Sequence, residues 1–94
     1  MDMKEYTINN KKYKFEKGNE EIINTEELNE MVTEYFDDYD YIFGDMAYNK
    51  LRLKGFYESE NKKANNINTI KNMDNYLKNY CSYGCKYFLI KKCK

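Results

Sequence analysis

Four consecutive residues late in the chain, Tyr87-Phe88-Leu89-Ile90, are all apolar, so a strand built on them is apolar on both faces. That is the pattern of an interior strand, buried above and below. In a chain of 94 residues it predicts a single domain over residues 1–94 built round a sheet. The core must be modest, because a chain of this length buries only about 60 to 65% of its extended surface.

The other segments supply partners for that strand. Tyr6-Thr7-Ile8 and Tyr13-Lys14-Phe15 alternate with polar residues around Asn9-Asn10, and Asn tolerates the positive φ of a tight turn, so residues 4–16 read as a β-hairpin. Asn24 followed by Glu27 gives an N-cap with its capping-box partner. Leu28, Met31, Val32, Tyr35 and Phe36 then form one stripe of an amphipathic helix reaching Phe36. Residues 39–43 read as a strand, 44–50 as a turn or irregular edge, and 51–57 as a second strand. On that strand Leu51, Leu53 and Tyr57 face the core, and Arg52, Lys54 and Phe56 face the other way.

Residues 58–67 read as a polar, mobile loop. Ile70, Met73, Leu77, Tyr80 and Cys81 form a second helical stripe, capped by Asn68 or Asn66 and ended by Gly84 as a C′ glycine. The expected order is β-β-α-β-β-α-β, a mixed α/β (α+β) fold of about five mostly antiparallel strands with two helices.

The charges are sorted along the chain. Sixteen bases balance sixteen acids, yet residues 18–45 carry ten acids and no base, whereas residues 46–94 carry eleven bases and three acids. Glu26, Glu27, Glu30 and Glu34 lie on the solvent side of the first helix, with Asp37 and Asp38 at its far end. There they oppose the helix dipole with no Lys at i+4, so a basic neighbour is expected from elsewhere in the fold. Fifteen Lys and 13 Asn against one Arg mark an AT-rich coding sequence, and part of that richness is codon bias.

Histidine is absent, which removes the Ser-His and Cys-His nucleophile pairs and the commonest neutral-pH base and metal ligand. The four glycines form no phosphate-binding loop. The longest apolar run is far short of the ~20 residues of a membrane span, and Met1-Asp2-Met3-Lys4 is no signal peptide. The reading is a cytoplasmic protein with no cofactor, no metal and no membrane contact, leaning away from an enzyme. Three cysteines cannot all pair and would stay reduced in the cytosol.

Tyr39-Asp40-Tyr41-Ile42, Gly44-Asp45, Tyr48 and Leu51-Arg52-Leu53-Lys54-Gly55-Phe56 occur in order, followed by Tyr76-Leu77, Tyr80-Cys81, Gly84-Cys85 and Tyr87-Phe88. Over residues 39–91 this pattern resembles the YutD-like family, small proteins of low-GC Gram-positive bacteria. The chain departs from it at Met46-Ala47, where a Trp-Gly pair is expected. The resemblance implies a compact mixed α/β domain in the cytoplasm and brings no catalytic residue with it.

Four groups of residues are candidates for function, each with a structural alternative. Arg52, the single Arg, can grip a carboxylate or phosphate bidentately, or can simply pair with Asp45 across the hairpin. Tyr48, Arg52, Lys54 and Phe56, extended by Lys86 and Tyr87 or Phe88, could stack nucleobases and hold phosphates, unless a helix covers that face and turns Phe56 into core. Cys81 and Cys85 could be a thiol pair or part of a metal site, or small core residues. Glu27, Glu30 and Glu34 could dock a basic partner, or form a solvated helix face.

The leading expectation is a non-catalytic binding or regulatory module that engages RNA or a nucleoprotein through its basic-aromatic sheet face. The alternative is a protein–protein interaction module with no nucleic-acid role, and the third is a Cys-based redox or metal protein.

Overall fold

The computed structural model describes residues 4–80 and 85–93. Its strands are β1 (Glu5–Ile8), β2 (Lys11–Gly18), β3 (Tyr41–Ala47), β4 (Lys50–Phe56) and β5 (Tyr87–Lys92), and its helices are α1 (Thr25–Met31) and α2 (Met73–Tyr80). The strands form one antiparallel sheet in the order β1-β2-β5-β3-β4, giving a single α+β domain. The apolar run Tyr87–Ile90 lies in the centre, bonded to β2 on one side and β3 on the other.

Alternation along β5 divides the core in two. Phe88 and Ile90 point to one face, where they pack with Ile8, Tyr13, Ile42 and the α1-side residues Leu28, Val32 and Phe36. Leu89 points to the other face and packs with Phe43, Phe56 and Met73, with Ile70, Tyr76 and Leu77 alongside. Each helix thus covers one face. Burying each large apolar side chain stabilises the fold by about 1.5–3 kcal/mol, so a central strand apolar on both sides contributes to both layers.

Both hairpins turn on two residues with positive φ. Asn9 and Asn10 (52° and 68°) join β1 to β2, and Tyr48 and Asn49 (53° and 64°) join β3 to β4, the geometry that matches strand twist. The second turn is tighter than the sequence suggests. Residues 44–47 continue β3 instead of forming an irregular edge, with Gly44 paired to Leu53 and Asp45 to Arg52. Gly44 is required by close approach, because the Phe88 ring lies where a Cβ would project.

The first helix is shorter than its apolar stripe. α1 ends at Met31, Val32 and Thr33 are extended, and a separate 3₁₀ turn covers Glu34–Phe36. Two groups compete for the backbone there: the Thr33 hydroxyl accepts from the Tyr35 N–H (3.4 Å), and the Asn9 side-chain amide donates to the Val32 carbonyl. Local side-chain bonds of this kind compete with helix propagation. Leu28, Val32 and Phe36 still reach the core, but Tyr35 is turned out and is 67% exposed.

The start of α2 also differs from expectation. Thr69, not Asn68 or Asn66, caps a 3₁₀ turn at Ile70–Asn72 that runs into the helix. Gly84 lies outside the described residues.

Candidate functional site

The β3–β4 hairpin places Asp45 directly opposite Arg52, on the face covered by α2. Arg52 donates from Nε (3.2 Å) and Nη2 (2.6 Å) to the two carboxylate oxygens of Asp45. The carboxylate is closed to solvent, while the Arg52 side chain is nearly half exposed. This bond and the charge of Asp45 raise the Arg52 pKa further. The pair thus spans the hairpin between two register partners.

Lys54 is the next residue of β4 on that face. Its ammonium lies 5.2 Å from the centroid of the Phe56 ring and 5.5 Å from that of Tyr76 on α2. Phe56 itself is fully buried, meeting Phe43 and Tyr76 edge-on. The open basic-aromatic face expected from the sequence is therefore not formed at Phe56, because α2 covers it. Tyr87 stacks on Phe43 beneath the same helix, Phe88 belongs to the opposite core, and Lys86 pairs with Glu21. Tyr48, at the hairpin tip, is 99% exposed.

Much of the acidic block is neutralised inside the fold. Lys4 pairs with Glu20, Lys86 with Glu21, Lys11 with Asp37, Lys63 with Asp38 and Arg52 with Asp45. Lys92 also donates to the Asp37 carbonyl, so Asp37 and Asp38 have the basic neighbours that their position requires. The Lys63 contact lowers the Asp38 pKa, and the Lys4 contact lowers that of Glu20.

Glu26, Glu27, Glu30 and Glu34 are different. All four are exposed, and among the described residues none forms an ion pair. They do not lie on one helix, since Glu34 belongs to the 3₁₀ turn after the break. Beside it, exposed Tyr35 lines an open groove of about 560 Å³ between the β1–β2 hairpin and residues 32–37 that follow α1, with buried Ile8 and Tyr13 also in its lining. Burial, then the charge of Asp37, raises the Tyr13 pKa.

Cys81 lies outside the described residues. Cys85 is disulfide-bonded and Cys93 is a free thiol, so the expectation of reduced thiols does not hold at Cys85. Among the described residues no group of three or more His, Cys, Asp or Glu side chains is placed to hold a metal ion. No helix among them is long and apolar enough to cross a membrane.

Two features escaped sequence reasoning. Asp40 is buried and ties down the chain after β4, accepting from the Glu58 N–H (2.8 Å) and the Asn61 side-chain amide (3.0 Å). The loop beyond is not open coil. Asn65 Oδ1 accepts from the Ile67 and Asn68 N–H groups, Asn68 Oδ1 accepts from the Asn65 N–H, and Tyr57 bonds to both Asn68 and Ile70 through the backbone. Codon bias is the expectation for part of the abundance of Asn, but these amides hold the loop together. The Asn and Asp side chains were the available signal, since both form such local turns.

Tyrosine supplies the second feature. Tyr39 stacks on Tyr57 (4.6 Å between centroids) and shares a hydroxyl hydrogen bond of 3.1 Å with Tyr35. That bond, followed by burial, pushes the Tyr39 pKa up to about 12.

Known proteins share this arrangement. The sequence profile of the family described as "Putative antitoxin YutD-like" matches residues 7–91. "Putative antitoxin YutD" of Bacillus subtilis (strain 168) is 41% identical over 69 residues, covering 73% of this chain and 76% of the relative. The solution NMR structure of protein yutD from B. subtilis superposes with a TM-score of 0.75 at 33% identity, over 96% of this chain and 82% of that one. The match reaches back through the N-terminal hairpin and α1 as well as the β3–β5 segments, and the chain belongs to the YutD-like family.

Proposed function

We propose that the protein is a non-catalytic binding module whose partner is a protein with a basic surface, held on the ridge from α1 to the Glu34–Phe36 turn. The observation that carries this reading is the local charge imbalance. Five carboxylates of the acidic block are matched by Lys or Arg within the fold, while Glu26, Glu27, Glu30 and Glu34 are exposed and form no ion pair among the described residues. Such a patch steers a basic partner and suppresses wrong ones more than it adds raw affinity.

Exposed Tyr35 lies at the end of this ridge and lines the groove that Ile8 and Tyr13 also line. A Tyr with charged neighbours is a common interface anchor. The B. subtilis relative is named a "Putative antitoxin", which suggests a toxin as the partner. A toxin with a basic surface is the partner class this ridge would suit. With Phe56 buried beneath α2, the protein-binding reading has more support than stacking of RNA on the sheet.

The test is a native pull-down from the source cell, run with and without nuclease, comparing the wild type with Glu27→Lys/Glu30→Lys/Glu34→Lys. The wild type should retain a basic protein after nuclease treatment, and the variant should lose it while keeping its circular dichroism spectrum. Retention by the variant, or loss of the partner on nuclease treatment, would overturn the proposal.

A further inference from the structure

Four lysines of the described chain are half-buried: Lys11, Lys54, Lys91 and Lys92. Lys11 pairs with Asp37, Lys91 with Glu58, and Lys92 donates to the Asp37 carbonyl. Lys54 alone among them has no hydrogen bond or ion pair among the described residues, and its ammonium lies over the rings of Phe56 and Tyr76. Cation–π contact offsets part of the lost hydration, but an ammonium has three donors, and Lys54 lines an open groove.

That groove, about 380 Å³, lies between β4 and α2 and is lined by Lys54, Ile67, Asn72, Asn75, Tyr76 and Asn79. Among the described residues no carboxylate lines it. Two other grooves contain acids, Glu34 and Asp37 in one, Glu58 and Glu60 in the other. The field at Lys54 is therefore positive locally, and its neighbour Arg52 is already balanced by Asp45.

The amides indicate what accompanies the anion. Asn72 is used within the fold: it donates to the Ile67 carbonyl (3.3 Å) and accepts from Asn75 (3.2 Å). Asn75 and Asn79, four residues apart, share one face of α2, where side chains at this spacing are neighbours. Both are exposed. Asn75 gives one amide N–H to Asn72 and keeps its Oδ1 and second N–H, so it and Asn79 can each present a donor and an acceptor side by side, the complement of a purine edge, and Ile67, 70% exposed at the lip, offers an apolar surface to a flat ring.

We propose that this groove binds a nucleotide unit, with its phosphate on Lys54 and its base edge on Asn75 and Asn79 against Ile67. The unit is either a free mononucleotide or one residue of a single-stranded RNA. This site lies on the face opposite α1 and does not depend on the protein-binding ridge.

The test is an amide NMR titration of the ¹⁵N-labelled protein at low ionic strength, where phosphate contacts are strongest. The probes are a purine 5′-mononucleotide, a short single-stranded oligoribonucleotide, inorganic phosphate and an oligoglutamate peptide. Saturable shifts at Lys54, Ile67, Asn75 and Asn79 are expected with the first two, weaker with phosphate. Lys54→Met, which keeps the packing on Tyr76, should weaken binding about tenfold through loss of a charge-assisted bond.

Asn75→Ala/Asn79→Ala, on the exposed helix face, should weaken the nucleotide and leave phosphate unchanged. Tighter binding of the oligoribonucleotide identifies RNA as the source, and equal binding identifies the free nucleotide. No shift with either, equal shifts with inorganic phosphate, or tighter binding of oligoglutamate overturns the proposal.

Discussion

Asp45 and Arg52 face each other across β3 and β4, and the carboxylate is shut from solvent while the guanidinium reaches it. Removing the base leaves a buried charge without compensation, whereas removing both charges leaves apolar contact. Arg52→Met should therefore destabilise the fold, by less than the loss for a fully buried pair because Arg52 is part-exposed. The double variant Asp45→Val/Arg52→Met should recover most of that loss. Urea unfolding of the two variants measures the difference, and equal destabilisation by both would refute the account.

Gly44 lies beneath the Phe88 ring, with no space for a Cβ. Gly44→Ala should cost about 1–3 kcal/mol by overpacking. Combining it with Phe88→Leu should give a loss smaller than the sum of the two single changes, because the residues share one contact. Additive losses in thermal unfolding would show that the strain lies elsewhere.

Tyr48 holds a left-handed backbone conformation (φ 53°) with its ring fully in solvent. The left-handed region costs a bulky residue roughly 1–2 kcal/mol but is readily visited by Asn. Tyr48→Asn should accordingly stabilise the fold by about 1 kcal/mol, raising the melting temperature by about 4–8 °C for a domain of this size. A fall in melting temperature would mean that the Tyr48 ring makes a stabilising contact.

Alkaline pH should weaken the fold in a defined window. Tyr39 is raised from 10.0 to about 12 by its bond to Tyr35 and by burial, and Tyr6, Tyr13 and Tyr41 are raised chiefly by burial. A folded-state pKa above the unfolded value means that the unfolded chain loses its proton first. The stabilisation is complete below pH 10 and is lost as pH rises toward 12. Tyr35→Phe should shift one tyrosinate transition to lower pH in an absorbance titration and flatten the loss of stability over that range.

The parts of the fold legible in sequence are those governed by local pattern. The Asn9-Asn10 turn, the interior position of Tyr87–Ile90 and the division of Leu51 and Leu53 from Arg52 and Phe56 follow from period and turn chemistry. The break at Val32-Thr33 was not legible, because it depends on Asn9, which is distant in sequence and reaches the Val32 carbonyl only once the hairpin docks. Phe56 shows the same limit at the site. Its direction was readable from strand alternation, but whether solvent or α2 met it was decided by tertiary packing. Asp40 looked like one more acid of a charged block, and its burial depends on Glu58 and Asn61 beyond β4.

The position of β5 between β2 and β3 has a consequence for biosynthesis. On the ribosome, both hairpins emerge before the strand that joins them, so each first has an unsatisfied inner edge and half a core. Their pairing with β5 closes long loops, which slows folding. Native structure must then form in a late step, when Phe88, Leu89 and Ile90 enter both layers at once, and a nascent chain stalled before Tyr87 would present two open strand edges to chaperones and proteases.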